Sequence, residues 1–165
     1  MRILFLGDVV GISGCSKLMN NLLNEIKSKK IDFVIVNGEN AAAQGVGLTK
    51  EICNDFFNCG VDVITTGNHV WDQKEIMEFI DKEEKLLRPK NLFEPAPGKG
   101  FNIYENKDGL NMFIATKQLS KTGKASAIEI FAISSSTRTA SKLLMPNPPY
   151  FCGRFTPRKP MLENF

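Results

Sequence analysis

Histidine is almost missing from this chain of 165 residues: His69 is the only one. A site built within the chain from two histidines is therefore excluded, which removes Cys2His2 zinc and facial triads with two histidine ligands. Long apolar runs are missing too. The N-terminus, Met1-Arg2-Ile3-Leu4-Phe5-Leu6, opens like a secretion signal but meets Gly7-Asp8 after four apolar residues. A signal core needs about 7–15 and a bilayer span about 20, so neither targeting nor a membrane partner is expected. Cys15, Cys53, Cys59 and Cys152 form no CxxC pair. In a chain of this size they read as reduced thiols of a cytoplasmic protein rather than a disulfide framework. Cys53 falls on the apolar side of a predicted helix, where packing is its expected role.

Charged residues (24%) and hydrophobic residues (42%) stand near globular norms, which excludes a wholly disordered or collagen-like chain. The formal charge of +3 hides a split. Residues 116–165 hold 8 Lys/Arg against 2 glutamates, no aspartate, and five of the eight prolines. The acidic residues are concentrated in 1–115. Two composition regimes meet near residue 116.

The first regime alternates strand and helix patterns. Arg2–Leu6, Asp32–Val36 and Val61–Thr66 are short continuous apolar runs, as strands buried on both faces should be. Leu18, Met19, Leu22, Leu23 and Ile26 recur at helical spacing after the first. Ile52, Cys53, Phe56 and Phe57 do so after the second, in a helix that Thr49 caps and Gly60 stops. Asp72 with Glu75 resembles a capping box opening a helix that packs Ile76, Phe79 and Ile80. Asn106-Lys107-Asp108-Gly109 is a turn sequence between two apolar runs, a hairpin signal. This order predicts an α/β domain with a parallel sheet. Beyond residue 116, Ala127–Ile133 reads as one more strand and the rest as irregular.

All three strands end in polar residues of metal-binding type: Gly7-Asp8, Asn37-Gly38-Glu39-Asn40 and Gly67-Asn68-His69. Ligands of open α/β sheets bind outside the carboxyl ends of the strands. Two carboxylates, Asp8 and Glu39, are thereby expected to converge with Asn40, Asn68 and His69. Oxygen donors suit Mg²⁺ or Mn²⁺, and imidazole admits Fe or Zn. Each residue also has a plain structural alternative. Asp8 can cap the next helix, Asn37-Gly38 can be a turn with Gly38 at positive φ, and His69 can be a satisfied structural histidine. Gly7–Gly14 also invites a phosphate-loop reading, but it lacks GxGxxG order and a GK[ST] ending, so as a nucleotide fingerprint it is weak.

MRILFLGDVVG, VNGENAAAQGVGLT, GVDVITTGNHVWD, LLRPKN and PGKGF, in that order over residues 1–115, resemble the YmdB-type branch of the calcineurin-like metallophosphoesterases. The resemblance implies an α/β metallophosphoesterase sandwich around two metal ions (Fe, Mn or Mg), acting on small phosphodiesters, cyclic nucleotides among them. It makes Asp8 and Glu39 metal ligands, Asp8 bridging the ions, with Asn68 a further ligand and Asn40 a contact of the metal site. His69 would face the phosphate and protonate the leaving oxygen as the catalytic acid.

The family draws its remaining ligands from histidines in its second half, and this chain has none there. Residues 1–115 are therefore read as the N-terminal part of a metallophosphoesterase domain. Residues 116–165 are read as an atypical basic tail, a replaced C-terminus most simply explained by a frameshift. The expectation is at most one weakly held ion, impaired turnover, and one face of the sandwich left uncovered. Two other functions compete: a non-catalytic phosphate or nucleotide binder using the same strand tips, and an RNA-associated protein using the tail, where Tyr150, Phe151 and Phe155 stand near Arg154 and Arg158.

Overall fold

A computed structural model describes residues 1–93, 95–118, 126–133, 140–146 and 150–154. Side chains from 126 onward are described only at Ile130. Four parallel strands form the centre: β1 (Arg2–Leu6), β2 (Phe33–Asn37), β3 (Val63–Thr65) and β4 (Leu86–Leu87). With β9 (Tyr150–Arg154) they make one sheet in the order β4-β3-β2-β1-β9, β9 lying antiparallel against β1. Helices α1 (Gly11–Lys29) and α2 (Lys50–Asn58) follow β1 and β2. The apolar runs have the predicted cause. Leu4, Val34, Val36, Ile64 and Leu86 face a core shared with Leu18, Leu22, Cys53 and Phe56 of the helices. Their neighbours Ile3, Phe5, Phe33, Ile35, Val63 and Leu87 face the other way, into a second core. A strand buried on both faces has no polar alternate positions to show.

That second core corrects the expectation of an uncovered face. A second sheet, antiparallel throughout, lies over it: β5 (Phe101–Glu105), β6 (Asn111–Gln118), β7 (Ser126–Ile133) and β8 (Ala140–Pro146), in chain order. Met112, Ile114 and Ile130 close the space between the sheets. The Asn106–Gly109 turn is present, and Lys107 pairs with Asp32 at 3.0 Å, tying the hairpin to the first sheet. Phe101 and Ile103 of β5 are exposed, as are Val10, Ile12, Leu23, Met77 and Phe93 elsewhere.

The irregular tail is also corrected. The strand expected over Ala127–Ile133 is β7, and two more strands, β8 and β9, occur where the sequence shows no period. Their backbone groups are satisfied by neighbouring strands, a tertiary cause that local patterning does not display. Of the basic and aromatic stretch, Tyr150, Phe151 and Arg154 lie in β9; Phe155 and Arg158 are outside the described residues.

Thr49 caps α2, its side chain accepting from the Ile52 N–H at 3.3 Å. The capping box at Asp72 and Glu75 does not form. The following helix, α3, is only Ile76–Phe79, without a side-chain cap, because Glu75 accepts from the Lys50 N–H at 2.8 Å and Asp72 turns to His69. Ile76, Phe79 and Ile80 are buried as expected. Cys53 packs in the core, its thiol pushed up to about 12 by burial. No helix among the described residues is long and apolar enough to cross a membrane.

If the second sheet holds the fold together through the second core, Ile114→Ala should cost about 2–5 kcal/mol. Urea unfolding of the two chains measures this; a loss below about 1 kcal/mol would show that the sheets do not depend on each other.

Candidate metal and phosphate site at the strand tips

The carboxyl ends of β1, β2 and β3 lie side by side, so the three polar tips meet at one edge. Main-chain bonds lace them together. The Val9 N–H donates to Asn37 O at 3.1 Å and Gly11 N–H to Asn40 O at 2.9 Å, joining the first tip to the second. The Gly38 N–H donates to Thr65 O at 3.0 Å, joining the second to the third. Gly47 N–H donates to Glu39 O and closes the Asn40–Val46 loop back over the tip.

Asp8 does not cap α1. The N-cap is Val10, without a side-chain bond, and Asp8 instead holds a left-handed backbone at φ 51. An aspartate tolerates that region better than most residues, yet the conformation still costs energy and tends to occur where a side chain must be aimed. Asp8 Oδ1 accepts from Asn40 Nδ2 at 2.6 Å. This leaves Asn40 Oδ1 and Asp8 Oδ2 as further acceptors. Gly38 is not at positive φ. A Cβ there would come within 3.3 Å of the Ile64 side chain, so neither turn geometry nor a severe clash requires glycine.

Glu39 is the unusual member. It is only 6% exposed, and its Oε2 has no hydrogen-bond partner among the described residues. A Cβ on Gly67 would fall inside the Glu39 carboxylate, so the third tip accepts the second only because residue 67 has no side chain. Burial raises the Glu39 pKa first, and the nearby negative charge of Asp8 raises it further. His69, the Asn68 main-chain N–H and the Asn37 side chain act in the opposite direction. Asn37 Oδ1 also accepts from the Glu39 N–H at 3.0 Å, an Asx turn that sets the glutamate's direction.

Asn68 is exposed at the tip of β3, and His69 beside it is half-buried. His69 Nδ1 lies 2.7 Å from Asp72 Oδ2. Asp8, Glu39, Asn40, Asn68 and His69 are thus gathered at one edge, with Asp8 touching Asn40 directly. The sequence reading named Asn37 and Gly67 within the tips and Asp72 as a cap, and assigned none of them a part in the site. Asn37 had a signal, since Asn-x-Glu permits an Asx turn. Gly67 had none, because its reason is a contact between two loops.

Residues 4–133 match the profile of a family described as YmdB-like protein. The chain belongs to the YmdB-like family. The matched span runs from β1 through the end of β7. The 2',3'-cyclic-nucleotide 2'-phosphodiesterase of Bacillus subtilis (strain 168) is 45% identical over 119 residues, 72% of this chain and 44% of that protein. A crystal structure of a hypothetical protein from Thermus thermophilus has a TM-score of 0.61 at 38% identity, over 67% of this chain and 42% of its own. A structure described as a novel phosphatase from Mycoplasma pneumoniae has a TM-score of 0.59 at 35% identity, over 64% and 38%. This YmdB-like chain therefore spans less than half the length of these relatives.

The raised Glu39 pKa has a defined consequence for stability. The folded chain binds that proton more tightly than the unfolded chain, so ionisation of Glu39 costs stability above the folded pKa. The cost fades as pH falls through the folded pKa towards the unfolded one. In a chelating buffer, Glu39→Gln should therefore melt higher than the native chain at pH 7, by roughly 2–4 °C per kcal/mol recovered. The gap should close near pH 4. An equal or lower Tm at pH 7 would contradict an uncompensated charge at Glu39.

Proposed function

We propose that this chain carries the site of a metal-dependent phosphoesterase for small phosphodiesters, cyclic nucleotides in the first instance, with little turnover of its own. The observation that carries the reading is the buried Glu39 carboxylate with an unpartnered oxygen, beside Asp8, at the joined tips of a parallel sheet. A Bacillus subtilis relative named as a cyclic-nucleotide phosphodiesterase supports the substrate class.

The donor set fits a hard cation. Asp8 and Glu39 supply anionic oxygens, and Asn40 and Asn68 have amide oxygens to add. No group of three or more His, Cys, Asp or Glu suited to a metal occurs among the described residues. Asp8, Glu39, Asn40 and Asn68 can offer only a few oxygens, which favours one weakly held Mg²⁺ or Mn²⁺ over the pair of ions the family implies, since an octahedral ion takes about six ligands. A bound cation supplies Lewis-acid polarisation of a phosphoryl oxygen. The chain's own residues do the rest. Asn40 holds Asp8 in place, Asn37 and Gly67 fix Glu39, and His69 stands at the same edge to pass a proton to the departing ester oxygen.

The low turnover follows from the absence of histidine beyond His69. The composition break near residue 116 falls inside the family match, so we read only the segment after residue 133 as replaced; a histidine-rich continuation in another reading frame of the gene would support this, and none in any frame would refute it. The free Cys15, Cys53 and Cys59 support a reducing, cytoplasmic setting.

Hydrolysis of a chromogenic phosphodiester should be slow, stimulated by Mn²⁺, and abolished by Asp8→Ala. Equal metal-dependent rates for the native chain and Asp8→Ala would discard a site centred on Asp8.

A further inference from the structure

The turn that carries His69 is more rigid than an exposed loop requires. The Val70 N–H donates to Gly67 O and the Asp72 N–H to His69 O, both at 3.2 Å, so two overlapping turns fix residues 67–72. Val70 is 1% exposed and Trp71 packs against the same helix-side core, which pins the middle of the segment. Its two ends, His69 and Asp72, are left on the surface side, partly exposed, with Nδ1 and Oδ2 at 2.7 Å. Asp72 forgoes the helix-capping role that its spacing with Glu75 offers.

We propose that Asp72 is the positioning residue for His69: its carboxylate holds the proton on Nδ1 and so reserves Nε2 for the substrate oxygen. This rests on the reading of His69 as the proton donor, and it specifies which nitrogen acts. The hydrogen bond at one ring nitrogen sets the state of the other. When His69 donates, the Nε2–H bond breaks and an O–H bond forms on the departing alkoxide. The ring loses its positive charge as the oxygen loses its negative charge. What remains is the neutral ring protonated on Nδ1, the form that Asp72 accepts from. Donation then needs no ring flip and no change of partner. Val70 and Trp71, by anchoring the turn, keep the two side chains in register before any ligand arrives.

A single histidine makes this measurable without substrate or metal. With ¹⁵N-histidine labelling, the only ring signals are those of His69. With the ring neutral, in alkaline chelating buffer, the native chain should show Nδ1 protonated and Nε2 bare, the reverse of the preference of a free histidine side chain in water. Asp72→Ala should return the ring to the Nε2–H form while the amide spectrum stays that of the folded chain. A native ring protonated on Nε2, or a ring unchanged in folded Asp72→Ala, overturns the proposal. Should Asp72→Ala not fold, the native ring decides alone. The phosphoesterase reading fails by a different outcome, absence of metal-dependent turnover, and the tautomer can be right or wrong independently of it.

Discussion

One carboxylate organises the functional end of this fold. Glu39 is buried with an oxygen that no group among the described residues satisfies, and it is pressed against a glycine that leaves room for it. An unpaired buried charge costs several kcal/mol unless it is protonated or meets a cation. His69, the Asn68 main-chain N–H and the Asn37 side chain relieve part of that cost, and burial with the charge of Asp8 outweighs them. Asp8 adds negative charge nearby, at a residue held in a left-handed backbone, and Asn40 steadies it there. An unsatisfied carboxylate beside a strained aspartate supports the proposed cation site.

The rest of the structure lets such a site exist. A parallel sheet brings the ends of β1, β2 and β3 together, and its burial by helices on one face and a second sheet on the other supplies the apolar contact that offsets the strain. The two cores use alternate residues of the same strands. The site is therefore fixed by backbone bonds between loops whose strands cannot slide, because a one-residue slip would exchange the two cores.

Much of this was legible in the residues. Arg2–Leu6 and Phe33–Asn37 showed themselves as unbroken apolar runs because both faces are covered. Asp8, Glu39, Asn40, Asn68 and His69 could be grouped because strand ends in a parallel sheet have a known place. What could not be read depends on contacts between segments. Gly67 matters only because Glu39 lies over it. Asp72 shares the local signature of a helix cap, and its choice of His69 depends on Glu75 being drawn away to Lys50. The strands β8 and β9 are held by their partners' backbones, which leaves no period in the sequence. The likeness to the YmdB-like family extends to residue 133, through a strand that composition alone assigns to the basic tail.

In the function proposed above, Asp8 and Glu39 together hold one hard cation, and among the described residues no group of three or more His, Cys, Asp or Glu suits a metal. Electron paramagnetic resonance of Mn²⁺ titrated into the native chain counts bound ions directly. The account predicts saturation at about one Mn²⁺ per chain, weakly bound, and lost in both Asp8→Ala and Glu39→Gln. Two tightly held ions, or no saturable binding by the native chain, would contradict it.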